Sequence, residues 1–220
     1  MANIRLEKIY QEAGRLFDKK GYPNTKMAEI AKAAGIAVGT MYSTFTGKDS
    51  VLSFVIYATL NNNYLSNEFI LPIAPVEPAK LIAALQSVLD SFETTLCITD
   101  KTENITKDFS ALMEELFDLF ADYLLAFTII EKNSDTLKEL SGEYLPRTAA
   151  YYSELEHHLQ LYMERGYIRK LTNLSSHVLF LTNTLTWWAL NSNLSLPNKP
   201  IPRNVAKETC IGIIQRAYQK

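Results

Sequence analysis

Between Met27 and Phe45 two short apolar repeats of helical period are separated by Gly35, and this pairing constrains the fold more than any other stretch of the chain. On the first side Met27, Ile30, Ala31 and Ala34 recur at helical spacing behind Thr25, an expected N-cap whose hydroxyl would take up a backbone N–H at the helix start. Gly35 then ends the helix. With no Cβ it enters the left-handed backbone region that closes one helix and launches the next at a steep angle. Ile36 is expected to plug that angle. On the second side, the segment Val38 to Phe45 turns Val38, Met41, Tyr42 and Phe45 inward and leaves Ala37, Gly39, Thr40, Ser43 and Thr44 on or near the open face. Small and hydroxylated side chains suit a helix that enters a major groove, where bulk would hold it off the base edges and hydroxyls bond phosphates or bases. Lys48 follows Gly47 at the start of the next helix, where exposed N–H groups and the positive dipole end already favour an anion. Tyr42 also fits a core aromatic with its hydroxyl at the surface, and Gly39 also fits close helix packing.

The segment Gly21 to Leu52 resembles the DNA-binding domain of TetR-type (tetracycline-repressor-like) transcriptional regulators. The resemblance rests on Leu16-Phe17, Gly21-Tyr22, Thr25-Lys26, Ile30-Ala31, Ala34-Gly35-Ile36-Ala37, Gly39-Thr40, Tyr42, Phe45, Lys48 and Leu52 at the family's spacing. Three positions depart from the pattern: Lys26 replaces a hydroxylated residue, Ala37 a serine and Thr44 a histidine. The resemblance implies that Thr25, Thr40, Tyr42 and Lys48 hold phosphates while Ala37, Val38, Gly39, Ser43 and Thr44 face the groove, with Lys26 offering a charge in place of a hydroxyl. It also implies a homodimer whose paired heads read a palindromic double-stranded DNA operator, most often as a repressor that a small-molecule effector releases.

Charge distribution agrees with a basic head on an acidic body. The formal net charge is −2, yet residues 1–50 hold eight Lys and Arg against five Asp and Glu, leaving 14 against 19 in the remainder. No apolar run approaches the ~20 residues of a membrane span, and Arg5, Glu7 and Lys8 exclude a signal-peptide reading of the start. Cys97 and Cys210, far apart and without metal-type spacing, are expected as buried thiols in a reducing cytoplasm. Enzyme signatures are missing: Gly47-Lys48-Asp49 lacks the upstream glycine and the hydroxyl of a phosphate loop, and no hydrolase, zinc-protease or dinucleotide fingerprint occurs. No cofactor or metal is expected.

The fold class expected is all-α, with a three-helix head over residues 1–47 and a helical effector-binding and dimerisation part over 48–220. Leu6, Ile9, Tyr10, Ala13, Leu16 and Phe17 make the first helix of the head. Residues 48 to about 69 read as one long connecting helix, ended by the proline-rich stretch 71–78. Helices follow near 79–97, 104–132, 135–141, 143–165, 175–194 and 203–218. An aromatic-rich stripe from Phe109 to Phe127 faces away from the acidic stripe Glu114, Glu115, Asp118 and Asp122, which read as a core face and a wet face. As a ligand cavity, the same stripe and its neighbours would supply Phe120, Tyr123, Phe127, Tyr144, Tyr151, Tyr152, Tyr162 and Trp187, with His157, His158 and His177 as polar handles. Residues 178–194 are apolar on nearly every side, so a dimer is expected through Leu181, Leu185, Trp188, Ile211, Ile214 and Tyr218. Two other readings stay open: a helical ligand-binding protein whose head no longer reads DNA, and a regulator released by a protein partner.

Overall fold

The computed structural model describes residues 2–99, 104–191 and 201–219, and it is all-helical: among the described residues no strand forms, only isolated bridges. In chain order the helices are α1 (Ala2–Lys20), α2 (Met27–Ala33), α3 (Val38–Thr44), α4 (Lys48–Leu60), α5 (Pro78–Leu96), α6 (Phe109–Lys132), α7 (Lys138–Glu164), α8 (Leu174–Asn191) and α9 (Arg203–Tyr218). By packing, the chain divides into two compact units, Met1–Val88 with Leu125–Tyr144, and Leu89–Leu124 with Leu145–Lys220.

The first unit is built round α4. Its Val51, Leu52, Phe54, Val55, Ile56 and Ala58 are all buried, and α1 packs along it through Leu6, Ile9, Ala13, Leu16 and Phe17. The Tyr10 hydroxyl meets Thr59 Oγ1 at 3.0 Å, which ties the two helices at a polar point. α4 stops at Leu60, short of the expected continuation to residue 69. Three asparagines follow, and Asn61 Oδ1 accepts the Asn63 N–H at 3.2 Å, a local side-chain bond that competes with helical pairing. The chain then turns back: Tyr64 and Phe69 pack on Phe54 with ring centroids 5.6 Å away in each case, and Tyr64 meets Tyr57 edge-on at 4.7 Å. The proline-rich strap beyond reaches the end of α3, where the Ile73 N–H donates to Thr44 O at 2.8 Å and Thr46 N–H donates to Ile73 O at 3.0 Å. Val76 N–H donates to Ser53 Oγ at 3.0 Å, so α4 holds the other end of the strap.

The second unit has a core of Phe92, Phe109, Leu112, Leu116, Phe117, Leu155, Leu159, Tyr162, Leu181, Leu185, Ile211 and Ile214. α7 is one helix through Ser141, Gly142 and Pro146, although two were expected there. The acidic stripe of α6 is not simply a wet face. Arg203 bonds Asp122 and Asp118, and Lys207 bonds Asp118 at 2.7 Å and approaches Glu114 at 3.8 Å. Both stripes repeat every four residues, so three carboxylates on one helical face meet two cations on the other. At the other end of α9, Arg169 Nε donates to Gln219 O at 2.9 Å and Nη2 to Arg216 O at 3.2 Å, placing a cation on the helix's negative end.

Cys210 is buried, and burial pushes its thiol up to about 12; Cys97 is exposed, against the expectation of burial. Residues 192–194 of the expected last-but-one helix lie outside the described residues. Among the described residues no helix is long and apolar enough to cross a membrane.

Candidate nucleic-acid interface

The α2–α3 corner is set by Gly35. Its φ of 71° lets the Gly35 N–H donate to Lys32 O at 3.2 Å and the Ile36 N–H to Ala31 O at 2.9 Å, closing α2 with two reversed bonds. α2 opens at Lys26, not Thr25: Lys26 has extended backbone, and its N–H donates to Glu29 Oε2 at 3.0 Å. Glu29 also holds Lys20 at 2.8 Å, and the hydrogen bonds from Lys20 and Lys26 keep its carboxyl below the usual range.

Thr25 is thereby turned inward. Its side chain is fully buried and its hydroxyl donates to Gly21 O at 2.8 Å, so it fastens the α1–α2 turn rather than facing solvent. Thr44 is likewise buried, with its hydroxyl donating to Thr40 O at 2.7 Å, so it does not join the open face expected of it. The packing face of α3 is Met41, Thr44 and Phe45. Val38 and Tyr42, expected inward by spacing, are 43% and 55% exposed. The open side therefore carries Ala37, Val38, Gly39, Tyr42 and Ser43, with Thr40 half-buried and Lys26 exposed nearby in sequence on the α2 start.

Lys48 opens α4 behind Gly47, whose N–H donates to Ser50 Oγ at 3.1 Å. The ammonium donates to Tyr22 O at 2.7 Å and lies 4.0 Å from the centre of the Tyr22 ring. Tyr22 in turn donates its hydroxyl to Asp49, and burial with that carboxylate beside it raises the phenol to about 12. Asn133, at the end of α6, accepts the Tyr22 N–H at 2.6 Å. Neither Asn133 nor this role of Tyr22 was expected; Tyr22 was visible as half of a Gly-Tyr pair, while a single asparagine after an apolar helix carries no pattern.

Residues 9–53 match the family of bacterial regulatory proteins described as the tetR family. This stretch is a tetR-family domain. An HTH-type transcriptional regulator of Staphylococcus aureus (strain USA300) is 26% identical to this chain over 176 residues, covering 74% of it and 89% of the relative. Two solved structures share its fold. The ketosteroid transcriptional regulator KstR2 of Mycobacterium tuberculosis superposes with a TM-score of 0.53 at 16% identity, covering 98% of this chain and 95% of that one. A regulator from Saccharomonospora viridis, solved in complex with choline, gives 0.51 at 13% identity and covers 100% of both. The chain is thus a transcriptional regulator with a helix-turn-helix DNA-binding domain.

The aromatics expected to line a cavity fall in both units. In the first unit Phe127 stacks on Tyr144 at 5.1 Å. In the second, Phe92, Phe120 and Tyr151 form a triangle with centroids 5.2 to 6.4 Å apart, and Tyr152 packs edge-on against Tyr151 at 5.4 Å. Tyr162 packs instead on Phe109 at 5.7 Å and donates its hydroxyl to Lys107 O. Tyr123 is half-buried and Trp187 half-exposed, beside Trp188. Of the histidines, His177 Nδ1 meets the Tyr218 hydroxyl at 2.8 Å, and His157 lies against His158. His158 is buried with neither ring nitrogen hydrogen-bonded; Glu154 Oε2 is 3.9 Å away. Burial holds its pKa below the ordinary value, outweighing the nearby Glu154 carboxylate.

The residues expected at a dimer interface are mostly consumed by the chain's own core: Leu181, Leu185, Ile211, Ile214 and Tyr218 are buried within the second unit, and Trp188 is half-buried. α8 and α9 pack on each other through them. Their outward sides carry Leu179, Phe180, Trp187, Val205 and Ile213 instead.

Proposed function

We propose that this regulator binds a palindromic DNA operator as a homodimer, acts as a repressor, and is released by a small-molecule effector. The observation that carries the DNA reading is the open side of α3, where the positions able to reach a groove are small or singly hydroxylated, flanked by Lys26 and Lys48. Residues 1–47 are the reader and 48–220 the effector-binding and dimerising part. Lys26, Thr40, Tyr42 and Lys48 contact phosphates, and Ala37, Val38, Gly39 and Ser43 face bases; Thr25 and Thr44 support the frame from inside.

Dimerisation is supported by the outward sides of α8 and α9, where large apolar side chains continue a surface whose inner half is already core. The effector is supported by the buried Phe92–Phe120–Tyr151 group, where the Tyr151 hydroxyl meets Thr182 Oγ1 at 3.3 Å. A body lined this way suits a flat or apolar molecule.

Variants separate the two kinds of DNA contact. Lys48→Ala lowers affinity for every duplex and reduces the salt slope by about one, whereas Ser43→Ala changes sequence preference at nearly constant slope. A gel-shift series in which Lys48→Ala leaves both affinity and slope unchanged contradicts the phosphate assignment.

A further inference from the structure

Asn133 connects the end of α6 to the phosphate-contact residue of the head through a single tyrosine. Its side chain is 3% exposed and both ends of its amide are engaged: Oδ1 accepts the Tyr22 N–H at 2.6 Å, and Nδ2 donates to Ile129 O at 2.7 Å. The second bond anchors the amide in the last turn of α6, and the first aims it at the peptide after Gly21. Gly21 has a φ of 76°, and a Cβ there would lie 3.4 Å from Asn133 Oδ1, so the turn admits the amide closely. Beside this buried contact Lys132 bonds Asp18, also at the end of α1.

Tyr22 also packs on Phe17, and its carbonyl takes the Thr25 N–H at 3.2 Å, but its remaining contacts are with Lys48 and its neighbour. The Tyr22 carbonyl accepts from the ammonium, the ring lies under it, and the hydroxyl holds Asp49, the next residue of α4. A lysine ammonium has three N–H donors; Tyr22 O takes one and fixes the direction in which the others point. A long four-carbon side chain held at carbonyl and ring has already lost much of the rotamer freedom that phosphate binding would otherwise remove.

We infer that Asn133 is a positioning residue for DNA binding: by fixing the Gly21–Tyr22 peptide it sets where the Lys48 ammonium meets a phosphate. The inference rests on the assignment of Lys48 as a phosphate contact. It makes the end of α6 part of the DNA-binding apparatus without assigning it a DNA contact, and it ties any shift of that helix end to one phosphate contact.

The test is a double-mutant cycle read as affinity against salt for a selected duplex. Asn133→Ala lowers affinity about fivefold to tenfold, the scale of one lost buried hydrogen bond, and reduces the salt slope by about one. In a Lys48→Ala background the same substitution has no further effect on either quantity. Equal losses in both backgrounds with an unchanged slope would mean that Asn133 only supports the fold, and would overturn the inference while leaving the phosphate assignment intact. If Lys48→Ala itself leaves affinity and slope unchanged, the assignment fails and the inference with it. Should Asn133→Ala not fold, the wild-type chain answers: coupling is reciprocal, so hydrogen exchange at the Tyr22 amide slows at least fivefold on adding DNA, and exchange that is unchanged overturns the inference.

Discussion

Gly35, Thr25 and His158 show three ways in which one residue shapes this regulator. Gly35 holds a left-handed backbone at φ 71° with open space around its α-carbon, so Gly35→Ala costs about 1 kcal/mol through backbone strain alone, measurable by denaturant unfolding. Thr25 matches the family pattern as a polar residue at a helix start, but position in sequence does not reveal which way a hydroxyl turns. Two backbone carbonyls, Leu16 O and Gly21 O, lie within reach only once α1 and α2 have packed. The inward reading of Tyr42 and Val38 from spacing failed for a related reason, while the resemblance had them facing outward: on a helix of two turns the three- and four-residue spacing is too short to define a face, and the packing of Met41 and Phe45 decided it. His158 predicts a pH dependence. Its folded pKa lies below its unfolded value near 6.5, so between those values the unfolded chain binds more protons and stability rises with pH. Stability from this site is therefore complete above about pH 6.5 and is lost as pH falls. Unfolding free energies measured for His158→Leu across that range fall less steeply on acidification than those of the wild type.

At the level of helices, the ends were harder to read than the helices themselves. α9 was legible from residue 203 to 218 because its apolar period and flanking prolines agree, whereas α4 stops at Leu60 because Asn61 bonds locally and four aromatics reward folding back. The strap that follows uses the Ile73 N–H and carbonyl to hold the end of α3, a pairing of residues that no local pattern announces. Ile73→Pro removes that donor and is expected to lower the thermal midpoint and to weaken DNA binding by loosening the α3–α4 turn. The charge match between α6 and α9 was half visible, since the acidic stripe was plain but its partners lie about 85 residues away. At Asp118 burial alone would raise the carboxyl pKa, yet Lys207 and Arg203 bring it below the usual range. That lowered pKa gives stability present above the unfolded value near 3.9 and lost as pH falls through the folded one. Because the pairs are partly exposed and screened, Asp118→Asn costs only about 0.5–1 kcal/mol, and the loss shrinks in high salt; calorimetry at two ionic strengths checks both.

In the molecule as a whole, the open α3 face belongs to the first unit, and α8 and α9 of the second carry large apolar side chains outward. Ile213, half-exposed on α9, is the position that tests the dimer most cleanly, because its side chain is outside the chain's own core. Ile213→Glu is expected to give a folded monomer by sedimentation, with operator affinity reduced by more than tenfold as avidity is lost. The sequence led to the expectation of a dimer through these helices but could not say which residues each side uses, since a helix apolar all round does not say which side meets its own chain. The most direct test of the central claim is selection of binding sites from a random duplex pool with the purified protein, followed by affinity for the winner against salt. A palindromic sequence with half-sites about 34–36 Å apart, or a multiple of that spacing, and an affinity falling steeply with salt is the predicted result; no enrichment, or enrichment without salt dependence, would contradict a dimeric operator reader.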